Sequence, residues 1–338
     1  MQVATCSCDA TLFFGNRRCL QCGRMAGWCD VCQRITSLDE DGCCLHDSCG
    51  SQLVACSNRD AWDVCDRLVP ASAPAGTLCR SCQLTAVAPD ATIPQNIPRW
   101  AALERAKRRL LYDFQLNGYP YERLLSPLPL SFRFLADTLD EHVVTGHADG
   151  VITINLAEAD PVHREQARQD FGEPQRTLIG HMRHESGHFF WQREVAESCL
   201  EQFREVFGDH ESPAYEEAMP RYYEQGPPAD WQQRFISQYA ASHPWEDFAE
   251  TFAFYLDLRS VMDTLGAHVP AFHLATHGSL AEMLGVFQRA GIVLNEVNRS
   301  LGVVDLVPEV VAPPVVEKLQ FMHDAFAAVA ETAAGHAE

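Results

Sequence analysis

The sequence predicts an α+β protein, in which a cysteine-rich N-terminal module precedes a mainly helical domain with a small β-sheet. Thirteen of the 14 cysteines fall within residues 1–82. The composition changes near residue 85, and residues 86–99 contain three prolines and few charges, as a linker does. Beyond the linker, apolar residues recur mostly at helical spacing. We therefore expect a module at 1–85, a linker at 86–99 and a second domain at 100–338.

Composition and charge limit the class of protein. Hydrophobic residues make up 46% of the 338 residues, so a folded core is expected. The net charge of −20 argues against nucleic acid or an anionic membrane as a partner. A local basic patch around Arg105, Lys107, Arg108 and Arg109 stays open. No apolar run reaches the roughly 18 residues of a membrane span, and the N-terminus lacks the features of a signal peptide, so we expect a cytoplasmic protein without a membrane partner.

The cysteines are spaced for zinc rather than for disulfides. With no signal peptide and with CxxC pairs present, metal binding is the better interpretation. Two sets of four fit tetrahedral zinc sites of the zinc-ribbon type. The first set is Cys6, Cys8, Cys19 and Cys22, and the third set is Cys56, Cys65, Cys79 and Cys82. A region this short cannot bury much core, so zinc would supply its folding energy, and its mild charge favours a protein partner over nucleic acid.

A middle set of cysteines lies between these two. A further structural zinc site would use Cys29, Cys32, either Cys43 or Cys44, and either Cys49 or His46. We take Cys29, Cys32, Cys44 and Cys49 as the candidate set. The alternatives are free thiols, or cysteines that replace members of the flanking sets. Cys199 stands alone, and we expect it to be a small buried hydrophobic residue.

The first helix of the second domain is predicted from Trp100 to Phe114. Apolar residues recur there at helical spacing, and Lys107 and Arg108 fall off that stripe. The pattern predicts a helix that packs on the core and turns a solvated basic face outward. Asn117-Gly118 should end it.

The remaining elements follow in order. Residues 142–156 predict a hairpin, because an Asp-Gly pair at 149–150 separates two β-branched runs. The run 151–156 would form an edge strand able to hydrogen-bond an extended peptide. A helix that begins near Pro174 should continue through 178–195. Further helices are expected at 229–241, 244–264 and 314–332.

The strongest chemical signal is the pattern H-E-x-x-H at His184–His188. Residues four apart share one helix face, so His184 and His188 can both direct an imidazole at one zinc ion. Glu185 lies about 100° around the helix and could take a proton from a water whose pKa zinc lowers to about 7. The alternative is an exposed His/Glu helix face, but the apolar flanks favour a zinc site. His181, one turn earlier, could support a ligand or contact substrate, or could be a partly buried structural histidine.

A catalytic zinc needs a third protein ligand. Glu246 and Glu250 are four apart in a segment rich in aromatic residues, so they share a face. Carboxylates beside so much apolar surface are costly unless something pairs with them, and a zinc ion with its histidines would do so. A solvated acidic stripe that includes Asp247 is the alternative.

H-E-x-x-H followed by E-x-F-A-E resembles the gluzincin peptidases, in particular the protease domain of anthrax lethal factor, with its H-E-x-G-H and E-F-F-A-E helices. The resemblance implies a gluzincin-like fold in which Glu246 binds the zinc. It implies that Glu250 lies behind the site and orients a histidine. It also implies that Tyr239 donates a hydrogen bond to the developing oxyanion, although a packed helix aromatic is the alternative.

More of the chain is similar to bacterial zinc-binding metallopeptidases that carry an N-terminal zinc ribbon. The similar segments are 100–111, 145–160, 226–231 and 239–250. The resemblance implies a fold and a mechanism but no substrate. One departure is Gln192, which stands where we expect an aspartate in many relatives, and this weakens a supporting role at that position.

The sequence therefore predicts a zinc-dependent peptidase with one catalytic and two to three structural zinc ions. Its substrate would be a protein or peptide, and the ribbon module would bind a protein partner or the substrate. A non-hydrolytic zinc-ribbon adaptor and a nucleic-acid-associated protease are the alternatives. The set of Glu185, Tyr239 and Glu246 counts against the adaptor, since a scaffold needs no catalytic base, and the acidity of the chain counts against the second.

Overall fold

The computed structural model describes residues 3–47, 49–138, 140, 142–170, 176–269 and 278–335. The predicted fold class is confirmed, because a cysteine-rich region of short strands precedes a mostly helical region with a small sheet. The chain divides into two compact units. Unit 1 comprises Met1–Leu111, Ser131–Thr145 and Thr153–Asp170, and unit 2 comprises Tyr112–Leu130, Gly146–Ile152 and Phe171–Glu338.

The N-terminal part of unit 1 consists of short strands and two short helices. The strands are β1 (Ala4–Thr5), β2 (Thr11–Leu12), β3 (Ala26–Cys29), β4 (Arg34–Ser37), β5 (Leu53–Ala55) and β6 (Arg67–Pro70), and the helices are α1 (Ser57–Trp62) and α2 (Arg80–Gln83). β1 and β2 form an antiparallel pair. The other four form a sheet of order β4–β3–β6–β5, in which only the β3–β6 pair is parallel. Buried cysteines supply much of the small core here.

The rest of unit 1 contains longer elements. They are β7 (Thr85–Val87), the first 16 residues of α3 (Asn96–Leu116), β8 (Ser131–Leu135), the end of β10 (Val151–Asn155) and α4 (Pro161–Asp170). β7 pairs with β8 in parallel. The prediction of the helix that ends at Asn117-Gly118 is confirmed by α3.

The predicted solvated basic face of α3 is wrong in its central part. Lys107 is 0% and Arg108 3% exposed, whereas Arg105 and Arg109 are exposed. Lys107 Nζ lies 3.0 Å from a carboxylate oxygen of Glu104. Arg108 Nε lies 3.0 Å from Asp66 Oδ2, and its guanidinium donates to the carbonyl of Val64 at 3.1 Å. Paired charges can be buried, so polar residues off an apolar stripe need not face water.

Unit 2 is built mainly from helices. They are the end of α3, α5 (Leu178–Phe190), α6 (Leu200–Phe207), α7 (Tyr215–Gln225), α8 (Pro244–His268), α9 (Leu280–Ser300) and α10 (Pro313–Gly335), with a π-helical turn at Trp191–Val195. α8 lies at the centre and packs against α5, α6, α9 and α10. Aromatic rings form much of this core; Phe252, for example, lies 5.2 Å from Phe190 and 5.7 Å from Phe326 between ring centroids.

Predictions for this region had mixed outcomes. Helices α8 and α10 confirm those at 244–264 and 314–332. The helix predicted at 229–241 is wrong, because the chain forms only short 3-10 turns at Trp231–Gln233 and Tyr239–Ala241. Ser237 Oγ accepts the backbone N–H of Ala240 at 3.0 Å, and such local bonds compete with a regular helix. Pro174 itself lies outside the described residues, but the predicted start of the helix near it is wrong, because α5 begins at Leu178 and Thr177 before it has an extended backbone.

The predicted hairpin is present with shifted strands. Residues 143–145 form no strand, and β9 (Gly146–Ala148) precedes the Asp149-Gly150 turn instead. The edge strand predicted at 151–156 is wrong, because β10 lies inside the sheet and β9 is an edge strand instead. A Cβ at Gly150 would lie 2.5 Å from the carbonyl oxygen of Pro129, and its φ is +80°, so this turn requires glycine.

Candidate metal centre

Helix α5 presents the H-E-x-x-H residues. Thr177 caps its start, because its side-chain oxygen accepts the backbone N–H of Gly180 at 3.0 Å. Gly187 lets α5 approach α8, since a Cβ at this position would lie 2.8 Å from the Cα of Ala249. The close approach brings His184 and His188 next to the first turns of α8.

Helix α8 begins immediately before the candidate carboxylate ligand. The ring of His243 caps the helix by accepting the backbone N–H of Trp245 at 3.1 Å, and Pro244 takes the first helical position. Glu246 then lies in the first turn, and Glu250 lies one turn further along the same face. The prediction that these carboxylates share a face is confirmed.

Three potential ligand atoms converge between the two helices. Glu246 Oε2 lies 3.0 Å from His184 Nε2 and 3.5 Å from His188 Nε2. Atoms that bind a tetrahedral zinc at about 2.1 Å lie about 3.4 Å apart. Glu246 Oε2 is buried and has no hydrogen-bond partner among the described residues. Two imidazole nitrogens and an unpartnered carboxylate oxygen at this spacing fit a zinc ion with one position left for water or substrate.

The carboxylates around the centre are themselves held in place. Glu250 Oε1 accepts the Nδ1–H of His184 at 2.6 Å, and Ser237 donates to the other Glu250 oxygen at 2.6 Å. Tyr215 donates to Glu246 Oε1 at 2.8 Å. Burial raises the pKa of Glu246, but His184 and His188 beside it lower the pKa by more, so the carboxylate is ionised.

The two predicted catalytic side chains lie on different elements. Glu185 follows His184 on α5 and is half-buried. Tyr239 is half-buried in the turn before α8, and its ring centroid lies 5.9 Å from that of His184. Burial and the charge of Glu246 raise the pKa of Tyr239, so its hydroxyl keeps its proton as a donor. His181 lies one turn before His184 and is half-buried.

Sequence reasoning missed several neighbours of the centre. Tyr215 and Ser237 gave no signal, because their contacts join segments far apart in the chain. The sequence does not single out His147 beyond its place in the predicted hairpin and in the segment 145–160, yet its ring centroid lies 6.5 Å from that of His188. Gln192, which stands where an aspartate is expected in many relatives, donates its amide N–H to Asp149 in that turn at 3.0 Å.

Twelve of the 13 cysteines of unit 1 form three groups of four. Within the first set, sulfur atoms lie 3.7 Å apart for Cys6–Cys22 and 3.5 Å for Cys8–Cys19. In the third set, Cys65 and Cys79 are 3.7 Å apart. A disulfide would need about 2.05 Å, whereas sulfurs about 2.3 Å from one tetrahedral zinc lie about 3.8 Å apart. The spacing fits zinc and not disulfides.

In the middle set, the structure decides between Cys43 and Cys44 and between Cys49 and His46. Its sulfur atoms lie 3.9 Å apart for both Cys29–Cys49 and Cys32–Cys44. Cys44 and Cys49 therefore join Cys29 and Cys32, whereas Cys43 and His46 do not belong to the group. Outside these sets, Cys199 is half-buried rather than buried.

None of the helices that the structure describes is long and apolar enough to cross a membrane.

Comparison with known proteins places this chain in a family. A family model described as "Putative zinc-binding metallo-peptidase" matches residues 96–325, and a zinc-ribbon domain model matches residues 3–93. An uncharacterized protein of Mycobacterium bovis is 38% identical over 328 residues, which cover 94% of this chain and 92% of the relative. Uncharacterized proteins from two strains of Mycobacterium tuberculosis match to the same extent. No solved structure matches. The chain therefore belongs to the family described as putative zinc-binding metallo-peptidases and carries an N-terminal zinc-ribbon domain.

Proposed function

We propose that the chain is a zinc-dependent peptidase that hydrolyses peptide bonds of a protein substrate. The observation that carries this proposal is the convergence of His184 Nε2, His188 Nε2 and the unpartnered Glu246 Oε2. Three protein ligands are the number found in catalytic zinc sites, whereas structural sites are closed by four. The family assignment supports the same class of reaction.

In this proposal the residues around the centre divide the chemistry. Zinc, when bound, lowers the pKa of water and polarises a carbonyl group. Glu185 accepts a proton from the attacking water and passes it to the leaving amine. Tyr239 donates its hydroxyl proton in a hydrogen bond to the developing oxyanion. Glu250 fixes the ring of His184, and Tyr215 fixes the carboxylate of Glu246.

We assign the three cysteine sets to three structural zinc ions, which gives four zinc ions per chain. The module at 1–85, joined by a linker at 86–99 to the peptidase domain at 100–338, would bind a protein partner or the substrate. We propose a cytoplasmic location for the chain. The distances between sulfur atoms and the match to a zinc-ribbon domain support the structural zinc ions.

Zinc content tests the assignment of ligands. Metal analysis of the purified chain should find about four zinc ions, and His184→Ala and Glu246→Ala should each lose one. A Cys79→Ser/Cys82→Ser variant should lose a different one, so that combining it with His184→Ala removes two. If His184→Ala and Glu246→Ala keep the full content while the cysteine variant does not, the chain is a zinc-ribbon adaptor and not a peptidase.

The variant Glu185→Gln tests the catalytic role. It should keep all its zinc but cleave a peptide library about 10²–10⁴-fold more slowly, because it lacks the general base. Glu201→Gln, at an exposed position on α6, is the matched control and should cleave at the wild-type rate. Equal rates for Glu185→Gln and wild type would reject the role. Salt-sensitive binding of DNA would instead favour a nucleic-acid-associated protease.

A further inference from the structure

A pocket of about 320 Å³ lies in unit 2 between the end of α7 and the chain segment just before α8. Ala218, Arg221 and Tyr222 line it from α7, and Ala241 and Ser242 line it from the segment before α8. We call it the Arg221 pocket. No role described above uses it.

Two polar groups of this pocket have no partner within the described part of the chain. Ser242 is only 8% exposed, and its buried hydroxyl oxygen makes no hydrogen bond. Buried polar groups are nearly always hydrogen-bonded, so an unpartnered hydroxyl in a pocket wall is available to donate to a ligand there. This observation is independent of the shape of the pocket.

The second group is the guanidinium of Arg221. Glu217 and Glu224 stand four residues before and three residues after it on α7, which is the spacing at which helical ion pairs form. Arg221 nevertheless forms no ion pair or hydrogen bond among the described residues and lines the pocket. Arg221 is also exposed to solvent, so its charge is not held by another side chain of the described residues. It leaves positive charge available to a ligand.

The pocket adjoins the proposed catalytic centre. The ring of Tyr222, in the pocket wall, lies 6.0 Å from the ring of Tyr239, which in turn lies 5.9 Å from the ring of His184. Ser242 lies four residues before Glu246 in the sequence, just ahead of α8. An extended peptide advances about 3.4 Å per residue. A side chain in the pocket would therefore belong to a residue close to the bond at the centre.

We propose that the Arg221 pocket is a substrate subsite for a carboxylate group, supplied by an acidic side chain or by the free C-terminus of a peptide. Arg221 pairs with the negative charge, and Ser242 donates its hydroxyl to a carboxylate oxygen. An apolar side chain would leave the buried hydroxyl of Ser242 without a partner, and a basic one would be repelled by the charge of Arg221. This inference rests on the proposed peptidase function and adds the substrate class.

Cleavage of a synthetic peptide library by the zinc-loaded chain tests the proposal. Mass spectrometry of the products should show Asp and Glu enriched at one fixed position relative to the cleaved bond, or cleavage at a fixed distance from the C-terminus. Arg221→Met should lower kcat/KM for these peptides about tenfold, and Ser242→Ala by less, because a charge-assisted contact is the stronger of the two. Peptides without that carboxylate, with Asn or Gln in place of the acidic side chain or with an amidated C-terminus, should be unaffected by either change. Arg289→Met, at an exposed arginine on α9 outside the pocket, is the control.

Amidation of the C-terminus separates the two sources of the carboxylate. If amidation abolishes the effect of Arg221→Met, the pocket binds the C-terminus; if the effect persists, it binds a side chain. Zinc content and thermal unfolding of each variant exclude misfolding as the cause. Cleavage without any preference for a carboxylate, or an equal loss in Arg221→Met for peptides with and without the recognised carboxylate, would overturn the subsite.

Binding separates this proposal from the peptidase function itself. The library is also passed over immobilised zinc-loaded Glu185→Gln, with and without Arg221→Met. One outcome is that wild type cleaves no peptide, while Glu185→Gln retains peptides with a carboxylate and loses them when Arg221→Met is added. That result would reject the peptidase function but support the carboxylate-binding pocket. If neither cleavage nor selective retention occurs, both the peptidase function and the carboxylate subsite are rejected.

Discussion

The three cysteine sets and the histidine–glutamate centre (His184, His188 and Glu246) both gather metal-ligand atoms, but they do so by different means. Most cysteines come in pairs a few residues apart, and the backbone between them points N–H groups at sulfur, as when Cys82 donates to Cys79 Sγ at 3.4 Å. The histidine–glutamate centre joins two helices that meet only through tertiary packing. The first kind of site depends on local sequence, and the second depends on the fold around it.

The two kinds of site also differ in what surrounds their ligand atoms. All four residues of the third cysteine set are buried. Burial lowers the pKa of the neighbouring Arg108, but Asp66 and Cys65 lie close to it and raise that pKa by more. The first set is more open, since Cys22 is exposed. The histidine–glutamate centre instead has side-chain partners behind its ligands, with Glu250 on His184 and Tyr215 on Glu246. A closed, buried set is suited to stability, whereas a three-ligand centre is suited to chemistry.

The largest effect is expected from removing cysteines, and it should differ between the buried third set and the more open first set. Cys79→Ser/Cys82→Ser should lower the free energy of unfolding by several kcal/mol, because it removes a zinc ion and leaves the buried Arg108 beside a damaged site. Cys19→Ser/Cys22→Ser should cost less, since that set is partly exposed. Chemical denaturation of both variants measures the difference, and a chelator should remove zinc from the first set before the third. An equal loss from both would show that burial does not rank these sites.

Gly187→Ala tests whether packing of helices forms the histidine–glutamate centre. The added methyl group would meet the backbone of Ala249, so it should force α5 and α8 apart and cost about 1–3 kcal/mol of stability. Zinc bound at this centre should weaken while zinc at the cysteine sets remains. Gly285→Ala is the control, because its Cβ would meet only the end of Arg289 at 3.6 Å. Unchanged zinc affinity in Gly187→Ala would contradict the role of this contact.

Glu250→Gln and Ser237→Ala test the support behind His184, and their effects should be the smallest of those predicted. Gln keeps the shape of the side chain but replaces the charged carboxylate that accepts the Nδ1–H of His184 with a neutral amide. Zinc affinity or kcat/KM should therefore fall about 10–100-fold. Ser237→Ala removes only a contact to Glu250 and should cost less. Competition with a zinc indicator measures both. A larger loss in Ser237→Ala than in Glu250→Gln would reverse the proposed order of support.

Much of the candidate site could be predicted from the sequence, because its spacing is local. Residues four apart on a helix share a face wherever the helix packs, which is why His184 and His188, and likewise Glu246 and Glu250, were paired correctly. Prediction failed where the partners of a charged side chain decide whether it is buried. The burial of Lys107 and Arg108 depends on Glu104 and Asp66, and an apolar stripe alone does not reveal such partners. The helix predicted at 229–241 failed for a different reason, because a local hydrogen bond from the backbone of Ala240 to Ser237 competes with a regular helix.

The sequence by itself determined the fold class, the family and the zinc-ligand residue types, since each depends on composition or on spacings within a few residues. Only the tertiary structure decided that Cys44 rather than Cys43 completes the middle set, and that Glu246 meets both histidines while Glu250 meets only His184. It alone brought Arg221 and Ser242 to one pocket. The physical reason is that local spacing sets which way a side chain points along its own helix or turn, whereas the distance between two elements depends on how the whole core packs.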